Sequence, residues 1–179
     1  MKQLGLDLGD DSLKETPKRI ARMYVDEIFS GLDENNFPRI MTIENKFNYD
    51  QMLIEANIGI YSVCEHHFVP IIGKAHIAYI PNKKIIGLSK LNRVADYFSR
   101  RPQVQERLTA NIKDKICEVV ETDNVAVTID AIHYCVIMRG AKDINALTRT
   151  STLGGMFKSE TTTRLEYFNS IPKMDDFNG

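Results

Sequence analysis

The hydrophobic residues of this chain change their spacing twice between residues 58 and 168, and this change most limits the fold. Residues 58 to 80 hold two short stretches that alternate like strands, IGIYSVC and KAHIAYI, joined through a histidine-rich segment. Two stretches with helical spacing come next along the chain, and alternation returns from Asn124. The order strand pair, helix pair, strand pair predicts an α+β fold whose antiparallel sheet carries its two helices on one face.

An N-terminal helix is predicted before these strands. Thr16 is typical of an N-cap and Pro17 of a first helical position, and apolar residues then recur every fourth residue up to Gly31. The turn-rich stretch GLDENNFPRI separates this helix from the first predicted strands. We therefore predict an N-terminal helical arm at residues 1–50 and a main domain at residues 51–179.

Similar signals place the remaining elements. Ser89 is expected to cap the first central helix, and Pro102 is expected to open the second. The stretch NVAVTIDAIHYCVIMR predicts an extended strand over residues 124–139, and residues 161–168 are predicted to form the last strand.

Composition and charge exclude several classes of protein. Hydrophobic residues make up 43% of the chain and charged residues 26%, and the formal net charge is -1, so no basic excess indicates nucleic acid or a membrane surface as a partner. The start, MKQLGLDLGDDS, lacks the apolar stretch of a signal peptide, and we expect a cytoplasmic protein. Three cysteines cannot form a closed disulfide framework, and Cys117 is expected to be a buried apolar residue.

The segment YSVCEHHFVP combines residue types that bind soft metals. Cys64 and His67 form a C-x-x-H pair, and Cys135 lies on a different predicted strand, where alternation puts His133 on the same face. Two ligands from a tight turn and a third from across the sheet leave one position of a tetrahedral zinc for water, as in catalytic sites. Because C-x-x-H alone is a weak signal, chance in a chain with four histidines is the alternative at this point.

Motifs of other metal and nucleotide enzymes are absent from the sequence. It contains no H-E-x-x-H of zinc proteases and no H-x-E with P-C-x-x-C of nucleobase deaminases. It also contains no G-x-x-x-x-G-K-[ST], so a bound nucleotide would not be held by a P-loop.

Four blocks of sequence together resemble the GTP cyclohydrolase I family. They are ETPKRIARMYVDEIFSGL, CEHHFVPIIGKAHIAYIP, IGLSKLNRVADYFSRRPQVQERLT, and VAVTIDAIHYCVIMRGAKD with TRTSTLGGMF after it. The resemblance implies the tunnelling fold (T-fold), in which ββααββ units join through their sheets into a pentameric barrel. Two such rings stack in the family, which implies a homodecamer.

The resemblance also implies a reaction with a zinc cofactor. Members of the family hydrolyse the imidazole ring of GTP, release formate and rearrange the opened ribose to give 7,8-dihydroneopterin triphosphate. The family's zinc ligands correspond to Cys64, His67 and Cys135. Its proton-transfer residues correspond to His133, which protonates nitrogen 7 of guanine, and to His66 and Ser89. For His66, a role in orienting a ligand is the alternative.

The chemical groups of GTP determine the contacts that a site must offer. Nitrogen 1 and the exocyclic amine of guanine are parallel donors that one carboxylate accepts, and the family places Glu106 there with Gln105 beside it. The triphosphate requires cations, and the corresponding residues are Lys90, Arg93 and Arg139, with Arg19 and Arg22 reaching in from a neighbouring subunit. The resemblance therefore implies an active site between subunits.

Two other classes of function stay open from the sequence. One is a different tunnelling-fold enzyme, of the nitrile reductase or pyruvoyl-tetrahydropterin synthase type. The reductase lacks this set of zinc ligands and the synthase uses three histidines, so Cys64 together with Cys135 argues against both. The other is a non-enzymatic assembly that zinc stabilises, which would unfold when zinc is removed.

Overall fold

The N-terminal part of the chain is helical. The computed structural model describes residues 1–174, so the last five residues of the predicted main domain lie outside the described part. Helix α1 spans Thr16–Arg22 and continues as a π-helical segment, Met23–Ile28. Short 3₁₀ turns occupy Lys2–Leu4, Ser30–Leu32 and Glu34–Asn36. Pro17 lies in the first turn of α1, where its missing N–H costs no hydrogen bond, but Glu15 rather than Thr16 is the N-cap.

Within residues 1–174, seven strands form one large sheet and one small one. The strands are β1 (Thr42–Glu44), β2 (Leu53–Cys64), β3 (Pro70–Tyr79), β4 (Lys84–Ile86), β5 (Pro102–Gln103), β6 (Val125–His133) and β7 (Thr148–Leu153). The large sheet has the order β5-β2-β3-β6-β7 and is antiparallel except where β5 pairs parallel with β2. Strands β1 and β4 form a separate antiparallel pair.

Two long helices connect the two strand pairs of the large sheet. They are α2 (Leu88–Ser99) and α3 (Gln105–Val120), and three shorter helices lie later in the chain: α4 (Tyr134–Ile137), α5 (Gly155–Ser159) and α6 (Thr161–Ser170). The order β2, β3, α2, α3, β6, β7 is the predicted ββααββ arrangement. The prediction of an α+β fold with a largely antiparallel sheet is thus confirmed. Among residues 1–174, no helix is both long and apolar enough to cross a membrane.

Alternate residues of the central strands face two separate cores. Ile77 and Tyr79 of β3 belong to the main core, to which α2 and α3 contribute their buried faces. Ala78 and Ala126 belong to a second cluster with Tyr167 of α6. Because side chains alternate along a strand, α6 lies on the opposite face of the sheet from α2 and α3.

The prediction of a last strand at residues 161–168 was wrong. That stretch lies within α6, and the last strand is β7, which pairs with β6. The threonines and aromatics of TTTRLEYF favour a strand by intrinsic propensity. In the structure Thr163 and Tyr167, one helical turn apart, are both buried, so packing against the sheet outweighs that propensity.

The predicted strand over residues 124–139 is too long. Strand β6 ends at His133, which is the last residue paired with β3, and residues 134–137 form α4. The next residue of β6 would lie opposite Pro70, which has no backbone N–H to donate to the sheet. The prediction that His133 and Cys135 share a strand face was therefore wrong, and a helical turn carries Cys135 instead.

The predicted starts of the two helices are displaced by two and three residues. Gly87 is the N-cap of α2, and Ser89 lies inside its first turn, where its side chain makes no capping hydrogen bond. Pro102 does not open α3, because Pro102 and Gln103 pair with the end of β2 as strand β5. Helix α3 then begins at Gln105.

Contacts join the N-terminal segments to the rest of the chain. Gly31 N–H donates to the Arg100 carbonyl at 3.0 Å, and a Cβ on Gly31 would lie 2.1 Å from the Tyr97 carbonyl oxygen, so only glycine fits. Strand β1 pairs with β4 across the predicted boundary. The division at residue 50 stays a prediction.

Candidate metal centre and active site

A tight turn between β2 and β3 carries the CEHH sequence. Cys64 N–H donates to the Val69 carbonyl at 2.9 Å, and Phe68 N–H donates back to the Cys64 carbonyl at 2.8 Å. Glu65 N–H donates to the Gln103 carbonyl at 3.0 Å, which fastens the turn to β5. These bonds hold the backbone on both sides of His67.

The turn and α4 bring the three predicted zinc ligands together. One donor atom from each of Cys64, His67 and Cys135 lies within 4.8 Å of the other two. The Cys64 Sγ atom is 3.8 Å from His67 Nδ1. Burial raises the pKa of the Cys135 thiol, and the neighbouring sulfur of Cys64 raises it further. The positive charge of Arg139 opposes this rise only in part, so the Cys135 thiol resists ionisation.

The donor set suits zinc in its chemistry and its spacing. Two thiols and an imidazole are soft and borderline donors of the kind that zinc selects. Zinc bonds of roughly 2.3 Å to sulfur and 2.05 Å to nitrogen at tetrahedral angles put those two atoms about 3.6 Å apart. The observed 3.8 Å between Cys64 Sγ and His67 Nδ1 is close to this separation. The His67 side chain is exposed, so this one of the three predicted ligands faces solvent.

His66 also lies beside this group. Its Nδ1 atom is 3.7 Å from Cys64 Sγ, and its side chain is exposed. The ring of His67 is 6.2 Å from that of His66, with the planes inclined at 69°. The structure therefore puts His66 next to the three predicted ligands, on the solvent side.

His133 lies two residues before Cys135 and is held by Gln105. The Gln105 side-chain amide donates to the carbonyls of Ile129 and Thr148 at 2.9 and 3.0 Å, which leaves its Oε1 as an acceptor. His133 Nε2 lies 2.6 Å from that oxygen and must carry the proton, so Nδ1 keeps a free lone pair. Burial lowers the pKa of His133, and the negative charge of Glu106 partly opposes this shift.

The predicted substrate residues occupy different surroundings. Gln105 is buried and bonded to protein atoms, whereas Glu106 is exposed in the first turn of α3 and close enough to act electrostatically on His133. Arg139 Nη1 lies 3.0 Å from His67 Nε2, so this cation belongs to the group around the turn.

The other predicted phosphate contacts lie on α1 and α2. Arg93 is exposed and lines a cleft of about 320 Å³ with residues of segment 30–38 and the end of α2. Lys90 is half-buried, and Ser89, Arg19 and Arg22 are exposed on their helices. Within the part of the chain that the structure describes, no hydrogen bond or ion pair joins any of these five side chains to the Cys64 turn.

Arg107 is a residue near the site that the sequence did not indicate. Its guanidinium pairs with the Glu65 carboxylate and also donates to Gln103 Oε1 at 3.0 Å and to the Pro102 carbonyl at 3.1 Å. These bonds tie α3 to the turn and to β5. No spacing rule connects residues 42 positions apart, so only the structure shows this role.

Known proteins match the chain over nearly its whole length. The model of the GTP cyclohydrolase I family matches residues 1–172. GTP cyclohydrolase 1 of Enterobacter sp. (strain 638) is 57% identical over 171 residues, which are 96% of this chain and 77% of that protein. The enzyme of the same name from Tolumonas auensis is 58% identical over 169 residues, 94% of this chain and 78% of that protein.

A solved structure of an archaeosine synthase QueF-Like protein in the apo form covers 58% of this chain and 93% of its own, at 16% identity and a TM-score of 0.49. That likeness is too weak to bear on fold or function. The family match and the two bacterial relatives are decisive: this chain belongs to the GTP cyclohydrolase I family, and it is a GTP-binding hydrolase with GTP cyclohydrolase I activity.

Proposed function

We propose that the chain opens the imidazole ring of GTP with a zinc ion held by Cys64, His67 and Cys135, releases formate and forms 7,8-dihydroneopterin triphosphate. The observation that carries this proposal is the convergence of the three donor atoms within 4.8 Å of one another. When bound, zinc supplies a Lewis acid that makes water nucleophilic at neutral pH. The three ligands leave one tetrahedral position for that water.

His133 is the proposed proton-transfer residue. Burial lowers its pKa, so the imidazole is neutral at neutral pH. Its Nε2 proton is committed to Gln105, and Nδ1 therefore accepts the proton that the attacking water loses and passes it to nitrogen 7 of guanine. Gln105, which the sequence placed on guanine, supports this step by holding the ring. His66 and Ser89 are proposed to relay protons in the later rearrangement.

Glu106 is the proposed guanine contact. Its carboxylate accepts hydrogen bonds from nitrogen 1 and the exocyclic amine, which adenine does not present in this pattern. Glu106 directly follows Gln105, whose side chain is hydrogen-bonded to His133, which supports a guanine held next to the proton-transfer residue.

A triphosphate site at a subunit boundary completes the proposal. Arg139 lies beside His67, while Lys90 and Arg93 lie on α2 and Arg19 and Arg22 lie on α1. We propose that Lys90, Arg93 and Arg139 bind the triphosphate and that Arg19 and Arg22 come from a neighbouring subunit of a homodecamer. Neither nucleic acid nor a membrane is an expected partner, and a cytoplasmic location stays a prediction.

Metal exchange tests the proposed function. We expect protein stripped by a chelator to release no formate from GTP, and zinc to restore the release. Magnesium should not restore it, because magnesium prefers oxygen ligands. Full formate release by protein shown to contain less than about one-twentieth of its metal would overturn the proposal.

A further inference from the structure

The turn that carries Cys64 and His67 contains one residue in an unusual backbone conformation. Phe68 has φ of 52°, in the left-handed region that bulky residues rarely adopt. Such a conformation persists only where its surroundings hold it. Phe68 directly succeeds His67 in the chain, so a change of the backbone here would move a proposed metal ligand.

A tyrosine from the N-terminal segment contacts this residue. Tyr24 Oη donates a hydrogen bond to the Phe68 carbonyl at 2.8 Å. The rings of Tyr24, Phe29 and Phe68 also form a cluster, with centroid distances of 5.4, 5.9 and 5.2 Å. One side chain thus fixes both the backbone and the ring of Phe68.

The π-helical segment explains how two aromatic residues of the arm reach the turn together. Phe29 N–H donates to the Tyr24 carbonyl at 2.9 Å, a bond between residues five apart. In an α-helix, side chains five residues apart point about 140° away from each other. The wider π turn brings them to nearly the same side, and π segments are frequent at functional sites.

We infer that Tyr24 is a positioning residue for the metal centre: it holds the Phe68 peptide so that Cys64 and His67 keep their places before a metal arrives. This inference rests on the proposed function, since it needs those residues to bind zinc. Partners that orient metal ligands typically contribute about 10- to 100-fold to metal affinity. A site that is already ordered loses less conformational entropy on binding, so it binds more tightly.

The test compares zinc affinity between Tyr24→Phe and the parent. Tyr24→Phe keeps the ring and removes only the hydroxyl, and we expect zinc to bind about tenfold more weakly. Affinity is measured by competition with a chelator that changes colour on binding zinc. Tyr61→Phe is the matched control, because Tyr61 lies on the same strand as Cys64 but is 60% exposed, and its zinc affinity should equal that of the parent.

A second measurement separates positioning from general support of the fold. In zinc-free protein, amide hydrogen exchange at His67 and Phe68 should be faster in Tyr24→Phe than in the parent, while exchange in β3 and β6 stays the same. Zinc affinity within about twofold of the parent would overturn the inference, even with a lowered melting temperature. Failure of the parent itself to bind zinc would instead overturn the proposed function.

Discussion

In the candidate metal centre, hydrogen bonds hold the backbone of the Cys64 turn and the ring of His133. Cys64 is 5% exposed at the end of a paired strand, and His133 presents Nδ1 because Gln105 occupies Nε2. The thiols must lose protons to bind a cation, and burial raises the pKa of Cys135, so metal binding should weaken as pH falls.

Substitution of one thiol tests the donor set. We expect Cys135→Ser to lose nearly all bound zinc and activity while the protein stays folded, because the core lies between the sheet and α2 and α3. Cys117→Ser is the control, since Cys117 packs half-buried against the main core and belongs to no metal group among residues 1–174. Metal analysis measures the zinc bound to each variant. A normal zinc content in folded Cys135→Ser would refute the assignment of Cys135 as a metal ligand.

Selectivity for guanine is a second property of single residues that can be tested. A site that hydrogen-bonds two donors rejects a ligand without them by roughly 10⁴-fold, so ATP should not be turned over by the parent. Glu106→Ala should lose turnover of GTP, mainly through weaker binding. Glu118→Ala, an exposed change on the same helix, should behave like the parent in the same formate assay. An equal loss of GTP turnover in Glu106→Ala and Glu118→Ala would show that the substitutions disturb the helix and not a contact with guanine.

Spacing and family resemblance predicted that Cys64, His67 and Cys135 lie together, but they did not predict how those residues are held. C-x-x-H spacing pointed to Cys64 and His67 because a tight turn keeps such residues close. Cys135 was chosen partly through a strand face that does not exist, since β6 ends at His133. Tyr24 could not be found from the sequence, because its bond to Phe68 joins residues 44 positions apart.

Among the secondary-structure elements, a buried ion pair joins the central strands to β7. Arg149 of β7 donates to both carboxylate oxygens of Asp130 on β6, at 2.6 and 2.7 Å. His76 Nε2 of β3 lies 3.5 Å from the same carboxylate, which is on the α6 side of the sheet. Burial alone would raise the pKa of Asp130, but hydrogen bonds from Arg149 and His76 outweigh it and lower the pKa.

The ion pair between Asp130 and Arg149 predicts that the stability of the fold decreases in acid. A lowered pKa in the folded state means that Asp130 stabilises the fold above its unfolded pKa, about 3.9, and loses that contribution as pH falls through the folded value. We expect Asp130→Asn to lower the free energy of unfolding by roughly 3 kcal/mol at pH 7. Near pH 3 the difference between the parent and this variant should become smaller. Asp114→Asn, an exposed change on α3, should have little effect at either pH. Urea unfolding measures the free energy of unfolding of the parent and both variants. A difference between the parent and Asp130→Asn that stays constant with pH would contradict the role given to Asp130.

Element order was predictable because hydrophobic period distinguishes strands from helices. The β2–β3 pair, α2, α3 and β6 have strong apolar periodicity and were placed within a few residues. Strand β7, with the sequence TRTSTL, has one apolar residue, so its pairing with β6 leaves little trace in the sequence. Residues 161–168 were predicted to form a strand but lie within α6, because burial of Tyr167 against the sheet decides their conformation.

For the whole molecule, the family match removes the alternatives that the sequence left open. A nitrile reductase or synthase of the same fold and a non-enzymatic zinc assembly no longer fit a chain that is 57% identical to GTP cyclohydrolase 1 over 96% of its length. The proposal of a site shared between copies rests on the family resemblance, with Arg19 and Arg22 exposed on α1.

Assembly is the prediction that concerns the molecule as a whole. We expect a particle of about ten times the 20.4 kDa chain, as two stacked pentamers. Mixing inactive Cys135→Ser with inactive Arg22→Ala after dissociation should restore part of the activity if Arg22 serves a neighbour's site. Sedimentation gives the mass, and a stable, fully active monomer would contradict a shared site.

Zinc-edge X-ray absorption of the zinc-loaded protein reports the atoms bound to the metal, and so distinguishes the proposed ligands from any other set. Cys64, His67 and Cys135 together predict two sulfur atoms at about 2.3 Å and one or two nitrogen or oxygen atoms at about 2.0 to 2.1 Å. Cys135→Ser, if it retains any zinc, should lose one sulfur from this shell. A shell of nitrogen and oxygen atoms alone in an active parent enzyme would contradict the proposed metal centre.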